Sequence, residues 1–296
     1  MKKIRNKISQ YLNLRTEIIN LLKHLKILVE KQDIEQIKKN QLNTADYLER
    51  NLYNNVKYQD NKRLNRYEQQ VFSQYGEDGI LSEIFNRLKI KNGFFVEFGV
   101  ETGIECNSTN LLLKKWKGLW IEGSKKYYDI ISEDFSKEIS EKALSVVNTF
   151  VSPENIETIF NQKNIPLDFD LLSIDIDYND FHIWKSINKY NPKVIVIEYN
   201  ATFDAQTEFV VDYKETGNDG IFTSHFGASL YSLELLGKEK GYCLVGCSYS
   251  GVNAFFVRQD LVKDLFQDPY TAKYHYEPPR YFLYNKSGHK RSWKNK

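Results

Sequence analysis

Cysteine is scarce in this 296-residue chain: Cys106, Cys243 and Cys247 are its 3, and no two of them are spaced as Cys-x-x-Cys. A disulfide framework needs an even, paired set and a thiolate metal site needs close pairs, so neither is expected. Cys243 and Cys247 read instead as small core residues of an apolar strand in a reducing compartment. No run of 18 apolar residues exists, which gives no candidate for a membrane-spanning helix. The start, Met1-Lys2-Lys3-Ile4-Arg5, is basic, but polar residues break the apolar stretch that a secretory signal requires. The cytoplasm is therefore the expected compartment. Net charge is only +2, which argues against a nucleic-acid partner. What is abundant is core material: 41% of the residues are hydrophobic, with 20 Tyr and 18 Phe, enough for one substantial α/β domain and an appendage.

The charge is unevenly spread. Residues 1–66 hold 15 Lys and Arg against 7 Asp and Glu, a local +8 that leaves −6 for the rest. A basic arm on a mildly acidic body is one reading, and a solvated Lys-rich helix is the other. Tyr11, Leu14, Ile18, Leu21, Leu25 and Leu28 fall on a and d of three successive heptads, uninterrupted by Gly or Pro, so residues 1–42 read as helix. Such a stripe suits a homo-oligomeric coiled coil or packing on the chain's own body. Extra apolar residues at Leu12, Ile19, Leu22, Ile27 and Val29 widen it, which suits a bundle or a peripheral contact at a membrane surface, the inner membrane face in a cytoplasmic protein. With polar residues 43–66 as linker, the division is a helical extension over 1–66 and the main domain over 67–296.

From Tyr67 onward, apolar runs and amphipathic stretches alternate. A helix carrying Ile80, Leu81, Ile84, Phe85 and Leu88 precedes strands at 94–98, 118–122, 143–148, 170–176 and 193–199. Helices are expected between them at 107–116, 124–137, 153–163 and 180–189. A further helix ends near 240, before strands at 242–247 and 253–258. Five β-α repeats and a final hairpin describe a Rossmann-like, doubly wound, seven-stranded and mostly parallel sheet.

The chemistry begins at Phe94-Phe-Val-Glu-Phe-Gly-Val-Glu-Thr-Gly-Ile-Glu105. An apolar run ends in Glu97 and breaks into a turn with Gly99 and Gly103, where backbone amides can approach a ligand. About 25 residues on, Gly118-Leu-Trp-Ile ends in Glu122, at the spacing of an acid that accepts hydrogen bonds from both hydroxyls of a ribose. Neither Gly-x-Gly-x-x-Gly nor Gly-Lys-Ser/Thr occurs at this turn, and Glu97 would repel a pyrophosphate. A cationic or zwitterionic adenosine ligand fits better, and S-adenosylmethionine carries a sulfonium, an ammonium and a ribose. Asn107 and Ser108 can cap the next helix and reach a carboxylate at its positive end. Asn148 closes the third strand.

The fourth strand runs out through Asp170-Leu-Leu-Ser-Ile-Asp-Ile-Asp-Tyr-Asn-Asp180. On a strand, Asp175 and Asp177 would share a face, as would Glu198 and Asn200 at the end of the fifth strand. On neighbouring strands these groups converge at the carboxyl edge, and such an all-oxygen set selects Mg²⁺, Mn²⁺ or another hard cation. Asp180 reads as a helix cap. His225, in a long loop at the same edge, is the candidate general base, with His182 as its competitor and Asp177 as a further catalytic group.

With these residues assembled, positions 70–258 resemble the FkbM-like class I methyltransferases. The resemblance rests on Phe72-Ser-Gln-Tyr-Gly-Glu-Asp78, Phe95-Val-Glu-Phe-Gly-Val-Glu-Thr-Gly103, Leu172-Ser-Ile-Asp-Ile-Asp177 and Val196-Ile-Glu-Tyr-Asn200, and leaves residues 1–66 uncovered. It implies that Gln74 and Tyr75 lie against the cofactor. Glu97, Gly99, Gly103, Asn107, Ser108, Glu122, Asn148 and Asp175 would complete the S-adenosylmethionine site, and Asp175, Asp177 and Glu198 would bind metal. Asn148 would stand where class I methyltransferases often hold a polar contact to adenine. The paired aspartates also look like those of metal-dependent sugar O-methyltransferases, whereas FkbM members usually carry an Asp-Val-Glu-Gly-like segment there. The implied activity is O-methylation of a sugar, on a nucleotide sugar or a surface polysaccharide. The alternatives are a small non-sugar acceptor and a non-catalytic scaffold whose basic arm recruits a glycan-assembly complex.

Overall fold

A computed structural model of the chain describes residues 54–215, 217, 223–281 and 292–293, and positions 17, 18, 20–23, 26, 29 and 31 of a helix. On that helix Ile18, Leu21, Leu22 and Val29 are each more than half exposed. Tyr11, Leu14, Leu25 and Leu28 lie outside the described residues.

The body is one seven-stranded sheet. Its strands are β1 (Phe94–Phe98), β2 (Lys117–Glu122), β3 (Leu144–Asn148), β4 (Leu171–Ile174), β5 (Val194–Glu198), β6 (Tyr242–Cys247) and β7 (Asn253–Arg258). They lie in the order β3-β2-β1-β4-β5-β7-β6. β1 to β5 are parallel, and β7 is inserted antiparallel between β5 and β6. Helices Glu77–Leu88, Thr109–Leu113, Lys125–Asp134, Ile156–Gln162, Asp180–Ser186 and Leu230–Glu239 cover both faces. Period-2 alternation builds two cores. Val96, Phe98, Leu172, Ile174, Ile195 and Ile197 enter one, while Phe95, Leu171, Val194 and Val196 enter the other. β1 pairs with β2 on one side and β4 on the other. The chain therefore leaves the two central strands in opposite directions, which opens a crevice at their carboxyl ends.

The expected doubly wound sheet is thus present, with two local corrections. β4 ends at Ile174, so Asp175 and Asp177 lie in the turn beyond it, and Asp177 has a left-handed φ of 64°. The shared orientation of these acids comes from that turn and not from strand alternation. Residues 54–66, read as extension and linker, belong to the body: Tyr58 and Leu64 are buried, and Asn65 Nδ2 donates to the Cys247 carbonyl at 2.8 Å.

This N-terminal piece is tied to the C-terminal segment through Glu277, whose side chain is fully buried. Lys57 Nζ donates to it at 2.7 Å, Tyr58 Oη at 2.8 Å and Arg280 Nη1 at 2.8 Å. Two segments more than 200 residues apart are thereby clamped on the β6–β7 side of the sheet.

Candidate functional site

The carboxyl ends of β1, β2, β4 and β5 border a cleft of about 750 Å³ that takes in Gln74, Tyr75, Gly99, Glu122, Asp175, Asp177, Glu198 and His225. Each wall has a local cause. The turn 71–78 is held from below by two acids. Asp78 Oδ2 accepts the amides of Val71, Phe72 and Ser73 at 2.8, 2.7 and 2.7 Å. Glu77 Oε2 accepts those of Tyr75 and Gly76 at 3.0 and 2.8 Å. The turn so held carries Gln74 and Tyr75 to the cleft.

Glu97 is at the cleft floor but turned into the protein. Its oxygens accept Asn107 N at 2.9 Å, Ser108 N at 2.9 Å and Ser173 Oγ at 3.0 Å, and Ser108 Oγ as well. Burial pushes its carboxyl up and these donors pull it back. With both oxygens occupied, Glu97 serves to hold the start of the 109–113 helix against β1 and β4. Asn107 Nδ2 and Trp120 Nε1 extend that network, donating to Ser173 Oγ at 3.1 Å and Ser108 Oγ at 2.8 Å.

The two glycines are demanded by the protein itself. Gly99 has φ 78°, and a Cβ there would lie 1.5 Å from the Asp175 carbonyl oxygen. Gly103 has φ 76°, and a Cβ there would meet Trp120 and Phe135 at 2.7 and 2.8 Å. Both therefore serve internal close approach, the first bringing the β1 and β4 exits together.

Glu122 is placed differently. Oε2 accepts Glu101 N at 2.8 Å and Oε1 accepts Ser124 N at 2.7 Å. Each oxygen keeps a lone pair, and the residue lines the cleft at the tip of β2. Burial pushes the carboxyl up, opposed by the two amides. Beyond it stands Phe150, which sequence reasoning missed: it lines the cleft yet is 78% exposed, and its ring covers Gly123, where a Cβ would lie 2.3 Å away. A bulky aromatic two residues after a strand-ending Asn is the signal that would have found it. Asn148 itself is taken up by structure, donating to the carbonyls of Glu122 at 2.8 Å and Gly123 at 3.1 Å. It is not among the residues lining the cleft, which corrects its adenine assignment.

On the other side of the crevice, Asp175, Asp177 and Glu198 each bring a carboxylate oxygen within 4.8 Å of the others. The Asp175 carboxyl is driven well up by burial and then by Asp180 and Asp177, and that of Glu198 by burial and then by Asp175. Asp180 accepts Ile176 N at 3.0 Å and so shapes the turn. Its Oδ2 is buried with no partner among the described residues, and burial holds its carboxyl at about 6. Three crowded acids beside an orphaned carboxylate oxygen fit a hard divalent cation or the hydroxyls of a polyol. Asn200 does not join them. Its amide donates to the carbonyls of Ser224 and Phe226 at 2.8 and 2.9 Å, which folds the loop carrying His225 onto the edge.

His225 reaches the cleft, its ring edge-on to Phe209 at 5.3 Å. His182 does not line the cleft, and its Nε2 is bonded to the Val211 carbonyl at 2.8 Å. As a competing base it is corrected to a residue that holds the 211 region in place.

No protein-family model matches the chain, and no curated protein matches it. Among solved structures, a Klebsiella pneumoniae protein assigned as an O-methyltransferase is similar at 14% identity, covering 75% of this chain and 99% of its own, with a TM-score of 0.43. An S-adenosylmethionine-dependent methyltransferase from Clostridium acetobutylicum is similar at 13% identity, 60% and 89% coverage and a TM-score of 0.39. The N-terminal domain of EvdMO1 with S-adenosylhomocysteine bound is similar at 11% identity, 64% and 80% coverage and a TM-score of 0.40. At these values the likeness carries no argument about chemistry.

Proposed function

We propose that this chain is an S-adenosylmethionine-dependent O-methyltransferase that acts on a carbohydrate hydroxyl, of a nucleotide sugar or a surface polysaccharide, in bacterial capsule or lipopolysaccharide synthesis. The observation that carries the reading is the polarity of the cleft. A fixed, half-satisfied carboxylate, Glu122, stands at the tip of β2, and the acids Asp175, Asp177 and Glu198 stand beyond β4 and β5. β2 and β5 are three strand spacings apart in the sheet, or about 14 Å, which gives room for a nucleoside at one end and an acceptor at the other.

The residues present fit that cofactor. Glu122 offers one lone pair on each oxygen to a pair of ribose hydroxyls, and Phe150 with Ile121 offers an apolar face to a base. The acidic floor suits a cationic ligand. Bound S-adenosylmethionine supplies an electrophilic methyl group. Asp175, Asp177 and Glu198 would hold a divalent cation, which lowers the pKa of a nearby hydroxyl. The chain's own part is to orient the acceptor oxygen at the acid end and to take its proton on the His225 imidazole.

Calorimetry tests the cofactor half. Glu122→Ala should weaken S-adenosylmethionine binding by about 1–3 kcal/mol, the range for a lost hydrogen bond to a charged group. No binding to the unaltered protein at millimolar ligand would end the reading. His225→Ala should keep cofactor binding while turnover falls about 10²–10⁴-fold.

A further inference from the structure

The C-terminal segment brings to the cleft a residue that the motifs do not account for. Tyr281 lines the cleft together with Tyr75, the ring centroids 6.4 Å apart at 39°. Both rings share that lining with Asp175 and Glu198. Burial raises the pKa of both hydroxyls, helped by Glu77 and then Glu198 at Tyr75 and by Glu198 at Tyr281. Tyr281 is 48% exposed and belongs to neither core of the described residues, yet the backbone leading to it is fixed. Arg280 N donates to the Ser250 carbonyl at 2.7 Å, and Arg280 Nη1 donates to the Tyr249 carbonyl at 2.9 Å. Pro278 lies so close to the β6–β7 turn that a Cβ on Gly251 would come within 2.4 Å of its carbonyl oxygen. A half-exposed aromatic ring on a clamped segment is a surface prepared for a ligand.

We propose that Tyr281, with Tyr75, forms the acceptor wall of the site and takes a pyranose ring against its aromatic face. A pyranose presents an apolar C–H face and a hydroxyl rim, so stacking on tyrosine aims its rim at Asp175 and Glu198. This rests on the methyltransferase reading and names its substrate-binding residue. Tyr281 is a specificity residue and takes no part in moving the proton.

The test is saturation-transfer NMR on protein loaded with S-adenosylhomocysteine. The probes are UDP-glucose and the methyl glycosides of glucose, galactose, mannose and rhamnose. The unaltered protein should transfer saturation to ring C–H protons of at least one probe. Tyr281→Leu should weaken that probe by about 2–10-fold, the size of a lost aromatic contact, while Tyr281→Phe retains it and calorimetry gives both variants the same S-adenosylhomocysteine affinity as the unaltered protein. Absence of transfer to every probe, equal transfer in Tyr281→Leu, or loss in Tyr281→Phe overturns the wall. Failure of the unaltered protein to bind S-adenosylhomocysteine overturns the underlying function instead, which the calorimetry reports separately.

Discussion

Gly99→Ala tests how the site is built, because the glycine's reason for being there lies 76 residues away. Two costs arise. An L residue held at φ 78° pays about 1–2 kcal/mol for the left-handed conformation. The new methyl would also stand 1.5 Å from the Asp175 carbonyl oxygen, where Cβ contacts essentially never fall under 3.0 Å. The turn after β4 must therefore retreat, and forcing extra volume into a packed site costs about 1–3 kcal/mol more. The sum, about 2–5 kcal/mol, corresponds to a drop of about 4–20 °C in Tm at about 2–4 °C per kcal/mol. Urea and thermal unfolding followed by circular dichroism measure both. The same retreat moves the Asp175 carboxylate away from Asp177 and Glu198, so cation binding at the acid end should weaken although no ligand atom has changed. A variant within about 0.5 kcal/mol of the unaltered protein would show that the β1 and β4 exits are not in contact, and the account of this glycine would be wrong.

Tb³⁺ titration should produce tyrosine-sensitised emission through Tyr75 and Tyr281, and Asp177→Asn should lower the affinity about 10-fold or more; undiminished binding would place the cation elsewhere. Glu277→Ala leaves Lys57 and Arg280 uncompensated, so urea unfolding should show a loss of about 3–5 kcal/mol, toward the lower end because Lys57 is 33% exposed. A loss below about 1 kcal/mol would mean that the clamp acts as a surface pair. Asp180 is held up from 3.8 to about 6, so the folded state binds more protons than the unfolded one in that window. Its contribution is present below pH 4 and is lost as pH rises to 6, about 3 kcal/mol in all. Asp180→Asn in EDTA should therefore match the unaltered protein below pH 4 and exceed it at pH 7; a constant difference across that range refutes the burial argument.

Periodicity made most of the elements legible. β6 and β7 fall at the expected 242–247 and 253–258, because each is an apolar run bounded by turn residues. Glu122 was legible because a strand tip and an acid at fixed spacing are local features. The partners of Glu97 were hidden. They come from the 107–108 turn and from Ser173 on β4, and a neighbouring strand cannot be read from a run of five residues. For the same reason Asn148 and Asn200, polar residues at strand ends that looked chemical, proved to satisfy backbone carbonyls of adjacent loops.

By itself, then, the sequence determined the α/β alternation, the two-faced strands and the identities of the acids at the strand ends, since each depends on side-chain chemistry within a few residues of chain. Tertiary structure alone decided which carboxylates are spent and which are available. Glu97 is filled by amides, while Glu122 keeps a lone pair on each oxygen. Folding also decided that Asp175, Asp177 and Glu198 meet and that Tyr281 reaches the same cleft from the far end of the chain. A hydrogen bond or a charge cluster is a matter of a few ångströms in space. Those distances are set by the order of strands in the sheet, which no local pattern in the sequence encodes.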